Sequence, residues 1–325
     1  MNLHRKQFTS LALAAIATGF WGSALAQGAY PTKTVTMVVP TAAGGTTDLS
    51  ARMLAQALSP VLGQSVIVDN KGGGNGNIAA SIVKRAEPDG YTVFMQYSGY
   101  HVISPHITKQ KQWDQADFQP VANVISAPQI IVVRNDLPVK TLPELMAYAK
   151  ANPGKLNYAS SGNGSLQHVT GAMLEQQGGI KMVHVPYKGT GPALQDLLGG
   201  QLDFMFDPGI GLSHVKAGKL RLLAVGSAKR SPLFPDVPTL DEVGLKGFDA
   251  DTWFGFYAPA GTPPDVVTRL NREINKVLGT QAVKDRITAL GGVPAPMSPT
   301  DFNARASIDS ARFGALIKAR NIQGD

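Results

Sequence analysis

The chain has 325 residues, 43% of them hydrophobic, with no cysteine and a net charge of +7. The absence of cysteine excludes disulfides, thiolate chemistry, cysteine zinc sites and a lipid-modified N-terminus. The positive residues, among them Lys33, Arg52, Lys71, Lys84, Arg85, Lys109, Lys111 and Lys140, are scattered; a basic stripe with interleaved aromatics is missing, which excludes a nucleic-acid footprint and leaves a mildly basic solvated surface.

Residues 1–26 read as a cleavable secretory leader. Arg5 and Lys6 precede an apolar run from Phe8 to Phe20, and Ala24, Leu25 and Ala26 supply the small-x-small pattern before Gln27. The run falls short of the ~20 residues that span a bilayer, which argues against an uncleaved anchor. Without Arg5 and Lys6 the net charge is +5. The remaining chain suffices for two domains of ~150 residues each.

Residues 35–39 form a β-branched run that reads as a strand and passes directly into PTAAGGTTD, residues 40–48. A strand that ends in small residues and turns straight into a helix leaves backbone N–H groups unpaired, with the positive end of the helix dipole behind them. Such a turn is a cradle for an anion. Capping alone also places glycine and threonine there, so one such turn is a weak signal. The helix is expected over 48–62, with Leu49, Met53, Ala57 and Val61 along its buried face. A strand at 66–68, a helix at 77–85, the turn Glu87, Pro88, Asp89, Gly90 and a strand at 92–96 complete one βαβαβ lobe. Gly74, Gly76 and Ala79 match the dinucleotide pattern G-x-G-x-x-A, but they follow the second strand and lack an acidic residue at the next strand end, so a structural turn is the better reading.

A second series starts with strands at 121–125 and 129–133, a helix at 142–151 and a strand at 156–159. The next turn, SSGNGSLQH at 160–168, repeats the first cradle. A helix at 166–177, a strand at 183–185, a helix at 191–198 with Pro192 at its first position, and strands at 202–206 and 220–225 follow. The fold class is therefore α/β, two Rossmann-like lobes with a ligand cleft: lobe 1 from 27–125 plus about 226–325, lobe 2 from 126–225. Two crossover segments between them form a hinge. Ligands of such sheets sit beyond the carboxyl ends of the strands, where both glycine-rich turns lie.

The stretches 40–52, 68–80, 87–92, 184–207 (HVPYKGTGPALQDLLGGQLDFMFD), 220–244 and 253–263 (WFGFYAPAGTP) together give a specific signature. Across essentially the whole mature chain it resembles the Bug-type periplasmic solute receptors of tripartite tricarboxylate transporters. The resemblance implies a type II periplasmic binding protein that closes on a small mono- or dicarboxylate and hands it to the membrane subunits of a transporter. It implies no enzyme activity. It also implies that the carboxylate is held by Ala42, Ala43, Gly44, Gly45, Thr46 and Thr47 and by Ser160, Ser161, Gly162, Asn163, Gly164 and Ser165. Tyr97, Ser98, Gly99, Tyr100 and His101, and the acidic residue Asp207, would face the cleft. A monomer without cofactor or metal is expected.

The residue types fit that implication. Thr46 and Thr47 offer hydroxyls beside free amides, while Asp48 suits the helix start itself. Ser160, Ser161 and Ser165 offer hydroxyls around two glycines; the competing reading is a plain turn with Ser165 capping a helix. Asp207 is either a latch toward the opposite lobe or a local cap. Tyr100 and His101 either wall the site for a flat ligand such as terephthalate or pack behind the loop. Hydrogen bonds to a charged group contribute about 1.5–3 kcal/mol each, so three or four approach the ~8 kcal/mol of a micromolar complex and both lobes are needed. The second function class is an exported serine hydrolase using Ser165 and His168. The sequence around Ser165, NGSLQ, lacks the nucleophile elbow G-x-S-x-G, and the other histidines show no metal-ligand spacing.

Overall fold

The computed structural model describes residues 30–108 and 112–323; the leader reading falls outside them. In chain order, β1 (Val35–Val39), α1 (Thr46–Leu62), β2 (Val66–Asn70), α2 (Asn77–Lys84) and β3 (Thr92–Tyr97) alternate as a βαβαβ unit. A π-turn over Gly99–Ile103 and α3 (Ser104–Ile107) lead to β4 (Phe118–Pro128), which passes through Gln129 alone into β5 (Ile130–Arg134). Then come α4 (Leu142–Ala151), β6 (Asn157–Ser160), α5 (Leu166–Gly178), β7 (Val183–Pro186), α6 (Thr190–Leu198), β8 (Phe204–Asp207), α7 (Leu212–Lys216) and β9 (Leu220–Val225). The chain ends with β10 (Asp251–Pro259), α8 (Pro264–Leu278), α9 (Gln281–Ala289), β11 (Val293–Pro294) and α10 (Pro299–Arg320).

These strands form two sheets. The first has the order β11-β4-β10-β3-β1-β2 and the second β7-β6-β8-β5-β9. β1 is parallel to β2 and β3, and β10 runs antiparallel between β3 and β4. In the second sheet β6 is parallel to both neighbours, while β5 is antiparallel to β8 and β9. The chain thus changes sheets twice, at Gln129 and over 226–250.

Sequence patterning explains the layers. β1 buries Val35, Met37, Val38 and Val39, the near-continuous apolar run of a strand covered on both faces. In α8 Val266, Val267, Leu270, Ile274, Val277 and Leu278 are buried while Asp265, Arg272 and Lys276 are not, an amphipathic stripe turned to the sheet. α10 covers the other face through Phe302, which meets Trp253 and Tyr257 of β10.

Two expectations need correction. Along α1 the expected Met53 is buried, with Ala51, Leu54, Leu58 and Leu62 beside it, whereas Leu49 is 37% exposed and Ala57 and Val61 are only partly buried; the centre of the buried stripe lies one position on from the one that starts at Leu49. Pro192 stands at the third position of α6, because the helix begins at Thr190 after Gly189. β10 and the helices after it follow a stretch whose segments carry no assignment from pattern alone.

The topology sets α1 directly after β1, α5 after β6 and α6 after β7. The N-termini of α1 and α6 meet across the gap between the sheets, where Ala42 N–H donates to the Lys188 carbonyl at 2.9 Å.

Candidate functional site

A small void of about 10 Å³, room for roughly one water, lies between the two sheets. Thr41, Thr46, Thr47, Tyr97 and Phe254 line it from the first sheet's side, and Ser161, Gln167, Thr190 and Pro208 from the second. Among the described residues, the buried Thr41 and Thr46 hydroxyls have no hydrogen-bond partner. Orphaned buried hydroxyls are costly, about 1–3 kcal/mol each, and mark a place where a ligand or ordered water belongs. They stand beside the first turn of α1, whose leading amides have no intrahelical acceptor. Among the described residues, Thr46 N–H finds only the Thr190 hydroxyl, at 3.3 Å.

Contact between the jaws here is backbone against backbone. A Cβ on Gly45 would come within 2.9 Å of Thr190 Oγ1, and one on Gly191 within 2.8 Å of the Ala43 carbonyl. Glycine at both positions permits that approach. Thr190 and its Lys188–Pro192 turn escaped the sequence reading, although KGTGP opens a helix after a strand in the same manner as the other two cradles.

The remaining cradle residues have local duties. Gly44 N–H donates to Asp48 Oδ2 at 2.9 Å, and Asp48 also accepts from Asn70 and pairs with Arg52. Asp48 therefore holds the turn, and the Gly44 amide is already used. Ala43 and Gly44 are exposed at the edge, and Ala42 N–H is spent on Lys188.

In the second turn only Ser161 reaches the void. Its hydroxyl donates to Gln167 Oε1 at 3.0 Å, and Tyr97 donates to the same oxygen at 3.1 Å. Ser160 bonds its own turn through Gly162 and lies 2.6 Å from His184 Nε2. Ser165 is fully buried and caps α5 by accepting from His168 N–H. Gly162 and Gly164 face Asn75 and Ile107 of the opposite jaw, so their missing side chains make room for protein.

The loop after β3 also departs from expectation. His101 packs into the core, stacked on Trp113 and 4.4 Å from Tyr257, with its Nδ1 2.7 Å from Gln96 Oε1. Burial holds it neutral and pushes its pKa down to about 3. Ser98 accepts from Trp253 N–H on β10, and Gly99 lies against the Tyr97 ring. Tyr100 is buried, with its pKa pushed up to about 12 by burial, and donates to the Ser161 carbonyl at 2.5 Å. Tyr100 is thus a clasp between jaws, and Tyr97 is the member of this loop that lines the void.

Asp207 does not latch the opposite jaw. Its two oxygens accept from Gly209, Ile210 and Gly211 N–H, at 3.0, 3.1 and 2.6 Å, so it shapes the loop that carries Pro208 into the void. Burial raises its pKa to about 6 against the opposing pull of those three bonds.

The hydrolase arrangement fails on geometry. The Ser165 hydroxyl meets the backbone of His168, while the His168 ring accepts from Gly164 N–H at 3.1 Å and stacks on His184. An imidazole acting as general base must face the hydroxyl. A larger hollow of about 490 Å³ lies between α5 and α10. It is walled by Met173, Phe313 and Leu316, and none of its lining side chains carries a buried polar atom without a partner.

Comparison with known proteins gives the family and the fold. Residues 50–322 match the model of the tripartite tricarboxylate transporter family receptor. The periplasmic binding protein BugD is 37% identical, covering 90% of this chain and 99% of its own, with a TM-score of 0.86. An R. palustris protein solved with adipate is 36% identical over 90% of this chain and 99% of its own, TM-score 0.87. MatC from Rhodopseudomonas palustris, solved with bound malate, is 33% identical over 89% and 100%, TM-score 0.84. The fold is the two-lobe α/β fold of a type II periplasmic binding protein, and the chain belongs to the tripartite tricarboxylate transporter family of solute receptors, of the Bug type.

Proposed function

We propose that this receptor captures a small carboxylate between its jaws, which part at the void to admit it, with one carboxylate oxygen replacing the Thr190 hydroxyl at the N-terminus of α1. Lobe 1 (27–125 with about 226–325) and lobe 2 (126–225) close about Gln129 and the 226–250 crossover. The mature monomer, released from its leader after Ala26, works in the periplasm and passes the solute to the membrane subunits of a tripartite tricarboxylate transporter. The observation that carries the reading is the pair of orphaned threonine hydroxyls, Thr41 and Thr46, buried beside a helix N-terminus. Charge-assisted bonds from amides and hydroxyls bind a carboxylate without a cationic side chain.

Solved relatives carry adipate and malate, which supports an aliphatic dicarboxylate as well as the flat aromatic class exemplified by terephthalate. Tyr97 and Phe254, whose rings lie 5.8 Å apart, supply an apolar wall for either. A thermal-shift screen with malate, adipate and terephthalate, followed by calorimetry, tests the reading. The expected result is dose-dependent stabilisation by at least one carboxylate and none by the corresponding amide. Equal stabilisation by acid and amide would overturn the proposal.

A further inference from the structure

Asn75 lies in the GGGNGN turn before α2 and holds φ +50°, ψ +45°, a left-handed conformation uncommon outside glycine. Gly74 and Gly76 on either side share positive φ. The strained backbone aims the Asn75 amide out of its own lobe, into the elbow of the Gly162–Gly164 turn on the other. A Cβ at Gly162 would stand 3.4 Å from Asn75 Oδ1, and one at Gly164 3.1 Å from Nδ2 and 2.5 Å from Ile107. Both glycines have positive φ, 129° and 74°, so the elbow is shaped to receive a side chain from the opposing jaw.

The hydrogen bonds at this contact are incomplete on both sides. Nδ2 donates to Ser104 Oγ at 2.9 Å within the first lobe, whereas the buried Oδ1 has no partner among the described residues. Within the elbow, Gly162 N–H is taken by Ser160 and Gly164 N–H by His168. Asn163 N–H has no acceptor among the described residues. An orphaned acceptor on one jaw thus faces a turn with an unused backbone amide on the other.

We propose that Asn75 is a closure peg: when a carboxylate is captured, the jaws settle so that Oδ1 accepts from Asn163 N–H, and this bond stabilises the loaded state. Asn75 touches no ligand and lies apart from the void, so it is a positioning residue that acts through the closed-state population. It rests on the two-jaw reading above. The apparent affinity of a receptor scales with the fraction of molecules in the closed form, so loss of one such bond weakens binding about two- to tenfold.

The chain has no cysteine, so Ile67→Cys on β2 and Val183→Cys on β7, both exposed, accept spin labels at one site per lobe. Distance distributions are measured with and without adipate, in the parent pair and with Asn75→Gly, which keeps the left-handed backbone and deletes the peg. Asn75→Gly is expected to broaden the adipate-bound distribution toward longer separations and to weaken adipate two- to tenfold, with its unliganded melting curve close to the parent's. Identical bound distributions and affinities in parent and Asn75→Gly overturn the peg. Should adipate leave the parent pair unchanged, the same comparison is run with malate and terephthalate; no shift with any of the three sinks the carboxylate-capture reading itself. Ser104→Ala, which frees Nδ2 inside one lobe, is the control expected to leave the bound distribution unchanged, and a Ser104→Ala effect equal to that of Asn75→Gly overturns the peg by assigning the loss to lobe 1 alone.

Discussion

Thr46 N–H donates to the Thr190 hydroxyl at 3.3 Å, joining the first turn of α1 to the first turn of α6 across the cleft. The bond is long for N–H···O. Its neutral acceptor occupies the place at a helix N-terminus where an anion is most stabilised. An incoming carboxylate oxygen makes a stronger, charge-assisted bond there and displaces the hydroxyl. Thr190 then remains as a donor from the second jaw.

Thr190→Val keeps the shape of the side chain and removes its hydroxyl. Bonds to a charged group contribute about 1.5–3 kcal/mol, so carboxylate affinity is expected to fall roughly tenfold or more by calorimetry. Thr47→Val is expected to act in the same direction. Unchanged affinity in both variants would place the ligand elsewhere.

Tyr100→Phe removes the bond to the Ser161 carbonyl and nothing else. The carbonyl is left without its partner in the closed form, so the closed state is expected to lose about 0.5–1.5 kcal/mol, equivalent to a two- to tenfold weaker ligand. Scattering from the variant in solution should report a larger radius of gyration at subsaturating ligand than the parent shows.

His101 gives the receptor a pH-dependent stability. Its folded pKa lies near 3, against 6.5 for the free side chain, so between these values the unfolded chain binds the proton and the folded chain does not. Stability is therefore complete above pH 6.5 and falls as pH drops toward 3, by about 1.4 kcal/mol per pH unit from this residue. His184, with its pKa lowered to about 4 by burial and by His168, adds in the same sense. Urea melts at pH 7 and pH 5 should show a shallower loss in His101→Gln than in the parent; equal losses would contradict the buried neutral imidazole.

Ser165→Ala is expected to destabilise the protein by about 1 kcal/mol through loss of the α5 cap, with weak effect on ligand affinity. No ester hydrolysis is expected from parent or variant. Turnover of an activated ester that disappears in Ser165→Ala would revive the hydrolase.

Much of the architecture was legible because it depends on local pattern. β1, α4 and β9 have the limits that alternation of β-branched and helical runs assigns, and Asn152, Pro153 and Gly154 stop α4 as their turn chemistry predicts. The void's first wall was legible too, since Thr46 and Thr47 follow a strand and open a helix. Its second wall was only partly so. Gln167 sits inside a helix with no local mark of function, and Phe254 and Pro208 reach the void only through tertiary packing. Thr190 did carry a signal, the glycine turn KGTGP. Both readings of His101 stay open in the sequence because a histidine in a cleft loop and a histidine folded under it share one pattern; the rings that bury it, Trp113 and the β10 pair Trp253 and Tyr257, come from two segments distant in the chain.

A crystal structure of the receptor loaded with the best carboxylate from the thermal screen tests the central claim most directly. The account predicts one carboxylate at the first turn of α1, within hydrogen-bond reach of Thr46 or Thr47 and of Thr190 or Ser161 from the other jaw. A carboxylate bound in the hollow between α5 and α10, or held by a single jaw, would contradict it.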